Sequence, residues 1–361
     1  MRILIAGGGT GGHVIPALAI ARELRDQHRA DVRFVGTSRG IETSLVPEGG
    51  FALELIHVGQ LKGVSLGKRL RTLADLPLGL RHCATLLRIF RPHVVIGVGG
   101  YASGPAMLAA ILLRMPTLAF EPNAVPGLAN RIVGRLVSAA AVNFSQTSIY
   151  FRNAEVTGIP VRKEFFDLPE RSAAAPPRLL VFGGSQGARA LNLGMPRIAA
   201  QLLEQVPGLS IVHQSGHGSQ AKVRDAYLKA GADPGRFTVH EFISDMPGEF
   251  AQADLVLCRS GASTVAELAA ACKPSVLVPF PQAADDHQRR NADVLVTAGA
   301  ARLMVQAELT PKKLLAELKA LLENRPLLEH MGQQAKKLAH PDAVQQIAGI
   351  VERLSDESPA T

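Results

Sequence analysis

Tryptophan is absent from this chain of 361 residues, tyrosine occurs three times, and aromatic residues make up only 4% of it. Cysteine is almost as scarce: Cys83, Cys258 and Cys272 form an odd set without metal-type spacing, which argues against a disulfide framework and against a zinc site. No apolar run long enough for a membrane span occurs. The longest uncharged stretch, between Arg91 and Arg114, carries Gly97, Gly99, Gly100, Gly104 and Pro105 and reads as strand, turn and helix. Met1 to Ala6 is a short apolar strand leading into glycines, not a charged start before a long apolar region, so export is not expected. The formal net charge of +8 suggests an anionic partner: phosphate, nucleic acid or a membrane surface. With so few aromatic faces for bases to stack on, nucleic acid is the weakest of the three.

What is present, 47% hydrophobic and 19% charged residues, is the composition of a globular protein. The length favours two domains. Apolar β-rich runs at Ile3 to Ala6, Val32 to Val35 and Val94 to Val98 alternate with helical stretches such as Val14 to Arg25 and Pro105 to Leu113. That rhythm predicts βαβ units and a mostly parallel sheet. A second series starts at Leu179 to Phe182 and continues through Leu209 to His213, Phe237 to His240, Leu255 to Cys258 and Ser275 to Val278. The proline- and alanine-rich segment Leu168 to Arg178 reads as a surface connection, with a hinge near Gly158 to Arg162. Thr310 followed by Pro311 predicts a helix start, and a last helix from about Pro341 to Leu354 is expected to return to the first domain.

Three turns share one design of apolar strand, glycines and helix: Gly7 to Gly12, Gly97 to Gly104, and Gly183 to Gly187. Glycine lets backbone approach a ligand, and a helix N-terminus offers free N–H groups and partial positive charge, so such turns suit phosphate. They serve equally as tight turns. The first also matches G-x-G-x-x-G at Gly7, Gly9 and Gly12. The second strand, however, ends in Val35-Gly36-Thr37-Ser38-Arg39, with no acid for an NAD ribose, although Arg39 leaves NADP open. No lysine stands where a P-loop needs one.

Thr10-Gly11-Gly12-His13, Glu121-Pro122-Asn123-Ala124-Val125-Pro126-Gly127 and Gly183-Gly184-Ser185-Gln186-Gly187-Ala188-Arg189 together closely resemble the MurG family. The likeness continues in Gly158-Ile159-Pro160-Val161-Arg162, Phe242-Ile243-Ser244-Asp245-Met246, Ser260 to Glu267 and Asp286-His287-Gln288. It covers nearly the whole chain. The resemblance implies an α/β, GT-B architecture of two Rossmann-like domains with mostly parallel sheets facing across a cleft. It implies an inverting transfer of N-acetylglucosamine from UDP-N-acetylglucosamine to lipid I, an undecaprenyl-linked muramoyl-pentapeptide, giving lipid II for peptidoglycan. The expected domains are 1–161, acceptor- and membrane-associating; 162–340, UDP-sugar-binding; and 341–361, a helix packing back on the first. The resemblance also implies a peripheral protein on the cytoplasmic face of the membrane, in the company of other cell-wall synthesis proteins.

By the same resemblance, the Ile243 backbone faces uracil, Glu267 the ribose, Ser185 and Arg162 the phosphates, and Gln288 the sugar hydroxyls. Ala262, Ser263, Thr264, Val265 and Ala266 belong to the donor segment, and Thr10, Gly11, Gly12 and Asn123 complete the site from the N-terminal domain. Each has a plainer reading. Thr264 to Glu267 is also a capping-box pattern. Ser185 could cap a helix, Arg162 could simply be solvated, and His13 could be structural. As a general base, His13 would take the proton of the attacking hydroxyl. Glu121 is a second catalytic candidate, or it orients the acceptor or its own loop, or it is a buried structural carboxylate.

Departure of UDP needs positive charge. With no D-x-D sequence, helix N-termini and Arg162 are favoured over a tightly bound metal, leaving room for a loosely associated divalent cation. From Leu61 to Arg91, Lys62, Lys68, Arg69, Arg71, Arg81, Arg88 and Arg91 stand against Asp75 alone, with leucines interspersed. The segment could rest on anionic lipid or form ordinary helices, and Pro77 and Gly79 argue against one continuous amphipathic helix. A sugar-nucleotide epimerase, a transferase with another acceptor, an NADP oxidoreductase and a non-catalytic binding module stay as alternatives.

Overall fold

The computed structural model describes residues 1–38, 40–56, 66–172 and 174–357, giving the backbone alone for 66–76. Arg39 and Lys62 lie outside the described residues, as do the side chains of Lys68, Arg69, Arg71 and Asp75. The chain divides into two compact units, Met1–Pro160 with Asp342–Thr361, and Val161–Pro341.

In the first unit seven strands run β1 (Arg2–Gly7), β2 (Asp31–Gly36), β3 (Ala52–Leu55), β4 (Val94–Gly99), β5 (Thr117–Glu121), β6 (Ala139–Val142) and β7 (Ala154–Val156). The helices between them are α1 (Gly11–Asp26), α2 (Glu42–Glu48), α3 (Leu66–Phe90), α4 (Ser103–Leu112) and α5 (Leu128–Val133). All pairings are parallel, in the order β3-β2-β1-β4-β5-β6-β7. A parallel sheet has helices on both faces, so its central strands read as unbroken apolar runs; Ile3, Ile5, Val94, Val95 and Ile96 are fully buried.

The second unit holds β8 (Arg178–Phe182), β9 (Ser210–Gln214), β10 (Phe237–His240), β11 (Leu255–Cys258), β12 (Ser275–Leu277) and β13 (Ala301–Leu303), paired in parallel in the order β10-β9-β8-β11-β12-β13. Its helices are α6 (Arg189–Gln205), α7 (Gln220–Lys229), α8 (Met246–Gln252), α9 (Ala262–Ala270), α10 (His287–Thr297), α11 (Pro311–Leu322) and α12 (Arg325–Lys336). The Thr310 hydroxyl accepts from the Lys313 N–H and caps α11, with Pro311 in its first turn. The last helix, α13 (Ala343–Asp356), belongs to the first unit and packs on α1. Ala343, Ile347, Ile350, Val351 and Leu354 form its buried stripe at helical spacing.

Sheet order reverses between β1 and β4 in the first unit and between β8 and β11 in the second. At such a switch point the chain leaves neighbouring strands in opposite directions, opening a crevice at their carboxyl ends. All three glycine turns follow strands at these two points.

One expectation is corrected. Pro77 and Gly79 do not interrupt the basic segment, and α3 runs through both as a single helix of 25 residues. A proline inside a helix costs one hydrogen bond and a steric clash, about 3 kcal/mol. Burial of Cys83, Leu87 and Phe90 in the core that α3 shares with α4 offsets that cost.

Candidate active site

In the first unit the two N-terminal glycine turns lie against each other. The β1–β4 register slips by one residue, from Ala6 opposite Gly97 to Gly7 opposite Gly99. A side chain on Gly100 (φ +82°) would strike the Gly8 carbonyl. Thr10 is the N-cap of α1, Gly11 and Gly12 are its first residues, and the cap is made without a side-chain hydrogen bond. His13 is half-buried between the turns. Its Nδ1 is 3.3 Å from the Gly8 carbonyl oxygen and 3.4 Å from Thr10 Oγ1. A carbonyl only accepts, so in the neutral ring Nδ1 carries the proton and Nε2 keeps its lone pair. Nε2 faces Gly99, where an added Cβ would stand 3.1 Å away.

Glu121, at the end of β5, is buried with both oxygens engaged. Oε1 accepts from the Asn123 backbone N–H (3.0 Å) and side-chain amide (3.1 Å), and Oε2 from the Gly127 N–H (3.1 Å) and the Asn130 amide (3.0 Å). Burial pushes the carboxyl above its usual range, against the pull of these donors. This arrangement orients the Asn123 loop rather than presenting an oxygen for proton transfer.

In the second unit, α9 begins at Ala262 with Gly261 as N-cap and no side-chain cap. The capping-box reading is therefore corrected: Thr264 lies inside the helix, and Glu267 does not reach back to its start. Ala262, Ser263 and Thr264 are the first three helical residues, whose N–H groups have no partner within the helix. Val265 packs into the core, Ala266 follows, and the Ser263 hydroxyl is buried without a hydrogen bond. Among the described residues, Glu267 has no hydrogen-bond or ion-pair partner; burial pushes its carboxyl up to about 7, with Arg162 pulling the other way. Arg162 is exposed, with its guanidinium 5.1 Å from the Phe165 ring, which itself packs edge-on against Phe250. Gln288, on α10, accepts the Phe280 N–H through Oε1 at 3.0 Å, and its carbonyl takes the Ser260 hydroxyl at 2.8 Å.

Ser185 is exposed and is not a helix cap, because α6 starts only after Ala188. It helps line a cavity of about 530 Å³ with Gln186, His217, Gln220, Glu241 and Phe242. Of the Ile243 backbone, expected near uracil, the N–H is donated to Gln214 Oε1 at 2.8 Å.

Three residues escaped the sequence reading. Gln214, buried at the end of β9, also donates to the Gly184 carbonyl (3.0 Å), so it ties the third glycine turn to the Ile243 segment. Arg259 donates to the Val278 and Pro279 carbonyls, both at 2.9 Å, and holds the segment that receives Gln288. Glu42, at the start of α2, is 1% exposed and binds the first glycine turn. The signal for Gln214 and Arg259 is a polar residue at the carboxyl end of a strand or just after it, and for Glu42 an acid at the start of the helix that follows one.

The model of the glycosyltransferase family 28 N-terminal domain matches residues 3–142, and that of the glycosyltransferase family 28 C-terminal domain matches 178–347. A protein of Solibacter usitatus named UDP-N-acetylglucosamine–N-acetylmuramyl-(pentapeptide) pyrophosphoryl-undecaprenol N-acetylglucosamine transferase is 46% identical over 98% of this chain and 96% of its own length. A protein of the same name from Myxococcus xanthus is 43% identical, covering 97% and 92%. The crystal structure of Acinetobacter baumannii MurG superposes with a TM-score of 0.85 at 33% identity, over 98% of this chain and 99% of that one. A putative UDP-N-acetylglucosamine 2-epimerase from Listeria monocytogenes shares the fold alone, at 13% identity and a TM-score of 0.71. The two parallel sheets, matched along nearly the whole chain, are the Rossmann-like domains of a GT-B fold.

Proposed function

We infer the activity from membership: the chain belongs to glycosyltransferase family 28, and within it to the MurG family. It transfers N-acetylglucosamine from UDP-N-acetylglucosamine to the lipid-linked muramoyl-pentapeptide, releasing UDP and forming lipid II. The observation that carries this is the 46% identity over 98% of the chain to a transferase of that name.

The site residues take the following roles. The acceptor hydroxyl attacks the anomeric carbon from the face opposite UDP, which inverts the linkage. His13 Nε2, its lone pair fixed by the Nδ1–H bond to Gly8, takes the hydroxyl proton. The free N–H groups of α9, the Ser185 hydroxyl and the Arg162 guanidinium receive the charge that builds on the departing diphosphate. Glu267 accepts the ribose hydroxyls, since a carboxylate without a partner can serve both oxygens of a diol. Gln288, whose Oε1 is engaged by Phe280, offers its amide N–H groups to the sugar. Glu121 shapes the loop that presents Asn123.

No described helix is long and apolar enough to cross a membrane. The first unit instead exposes Leu78, Ile89 and Leu112 beside a groove lined by Leu80, Arg81, Thr85 and Arg88. Apolar side chains ringed by arginines suit the boundary of an anionic bilayer, where the acceptor's lipid resides. In this reading the protein is peripheral on the cytoplasmic side of the membrane, in the company of other cell-wall synthesis proteins, and the arginine-ringed apolar face is what supports it.

The test is radiolabel transfer from UDP-N-acetylglucosamine to a defined lipid I analogue. Acceptor-dependent formation of a disaccharide-lipid is the expected result. Conversion of the nucleotide sugar to an isomer without acceptor would overturn the reading.

A further inference from the structure

Glu42 lies outside every motif that carries the function, yet it is among the most buried charged residues of the first unit. Its Oε2 accepts the Gly9 N–H at 2.7 Å, and its Oε1 accepts the Thr37 N–H and Thr37 hydroxyl, both at 3.0 Å. Side chains on Gly8, Gly36 or Gly40 would each collide with it, so the turn and the β2–α2 connection are wrapped around this carboxylate. Burial works against its charge, but the donors from Gly9 and Thr37 outweigh it and hold the carboxyl below the usual range. It is anionic at neutral pH.

The Gly9 N–H and the Gly8 C=O belong to one peptide group. At one end that group donates to Glu42, and at the other it accepts from His13 Nδ1 at 3.3 Å. Hydrogen bonds in such a chain polarise one another: an anion on the N–H makes the same amide's carbonyl a stronger acceptor. We propose that Glu42, the Gly8–Gly9 peptide and His13 form a carboxylate–peptide–histidine relay, in which Glu42 is the positioning residue that fixes the His13 tautomer and raises the basicity of Nε2. The arrangement does the work of a carboxylate bonded directly to a catalytic imidazole, with one peptide interposed. It also occupies the Gly9 N–H and puts negative charge behind it, so the first glycine turn serves a base rather than a phosphate. The proposal rests on the reading of His13 as general base.

Among the described residues, the other charged groups of α1 and of the elements packed on it stand away from this end, and Tyr101 is the titratable side chain beside it. Arg2 of β1 and Asp31 and Arg33 of β2 stand toward the amino ends of their strands, about 10 Å or more away. Arg22, Glu23, Arg25 and Asp26 are more than two turns along α1. Glu48 ends α2, while Glu352 and Arg353 of α13 pair with His28 and Glu155. Tyr101 follows the second turn, and Arg39 is outside the described residues.

The experiment compares the pH profiles of kcat for the full-length enzyme and for Glu42→Gln, Thr37→Val and His13→Gln at saturating UDP-N-acetylglucosamine. In the unaltered enzyme kcat rises through the pKa of the base. In Glu42→Gln that limb moves to lower pH by about one unit, a tenfold loss of proton affinity, and the plateau falls while KM for UDP-N-acetylglucosamine holds. Thr37→Val removes a competing donor from the carboxylate and moves the limb to higher pH. An unshifted limb in Glu42→Gln would overturn the relay. Should Glu42→Gln not fold, as judged by circular dichroism and UDP binding, Thr37→Val decides, and a limb that stays or falls overturns the proposal. If His13→Gln keeps the limb, the assignment of His13 itself is wrong, a failure distinct from that of the relay.

Discussion

Glu267→Gln separates stability from function in a single change. In the folded protein this carboxyl is pushed up to about 7 from an ordinary 4.5, because burial penalises its charge and among the described residues nothing bonds to it. Between those two values the folded state holds a proton that the unfolded state has released, so stability falls as pH rises from 4.5 to 7 and stays reduced above. The difference of about 2.5 in pKa corresponds to roughly 3 kcal/mol at most. Because the side chain is partly exposed, about half of that is the better figure. Glutamine does not titrate and escapes the penalty.

The variant is therefore expected to be more stable than the unaltered protein at pH 8, by about 1 to 2 kcal/mol, and equally stable at pH 4.5. The same change removes a charged acceptor from the ribose diol, costing about 3 kcal/mol of binding, or roughly a hundredfold in Kd for UDP. UDP binding to the unaltered protein should strengthen from pH 6 to pH 8, and binding to the variant should not. Denaturant titrations at both pH values and calorimetry with UDP supply the measurements. A variant that melts with the unaltered protein at pH 8 and binds UDP equally well would refute both the buried charge and its role.

Gly99→Ala places a methyl group 3.1 Å from His13 Nε2 on backbone at φ +92°; steady-state kinetics should show kcat reduced at least tenfold with KM for UDP-N-acetylglucosamine retained. Glu121→Gln turns an amide toward two of the four donors that the carboxylate now serves, and urea denaturation should register a loss of about 2 to 4 kcal/mol. Paired charge and polarity changes, Arg88→Glu with Ile89→Ser, should weaken sedimentation with anionic vesicles while leaving UDP affinity intact; unchanged sedimentation would move the membrane contact elsewhere on the protein.

The strands that carry the glycine turns were plain in the sequence because central parallel strands are unbroken apolar runs, as in Val94 to Ile96 and Leu179 to Phe182. Some of the outer strands were not. Ala139 to Val142 is three alanines and a valine, and Ala301 to Leu303 is only three residues, too short for any periodicity to show. Helix α3 was obscured by a proline whose local cost is offset by packing that no local pattern records. Among the candidate site residues, Ser185, Glu267 and Gln288 stand in motifs that the sequence displays. Gln214, Arg259 and Glu42 do not, and each acts on backbone brought to it by strand order: Gln214 reaches Gly184 from 30 positions away and Glu42 reaches Gly9 from 33.

On the proposed reading, one sequence design serves two physical tasks. The first and third turns both follow a central strand, bend through glycine and enter a helix, and their sequences alone would assign both to phosphate. Their surroundings differ in the sign of the charge behind them. Behind the first turn stands the anionic Glu42, which takes the Gly9 N–H and makes the site one where a proton is welcome and a phosphate is not. Behind the third stands neutral Gln214, which donates to the Gly184 carbonyl, takes nothing from the turn's own N–H groups and leaves the Ser185 hydroxyl exposed. An acid-for-amide exchange at these two positions would be expected to reverse that preference. Gln214→Glu, placing an anion behind the third turn, should weaken UDP binding more at pH 8 than at pH 5, whereas a pH-independent loss would show that Gln214 only braces the backbone.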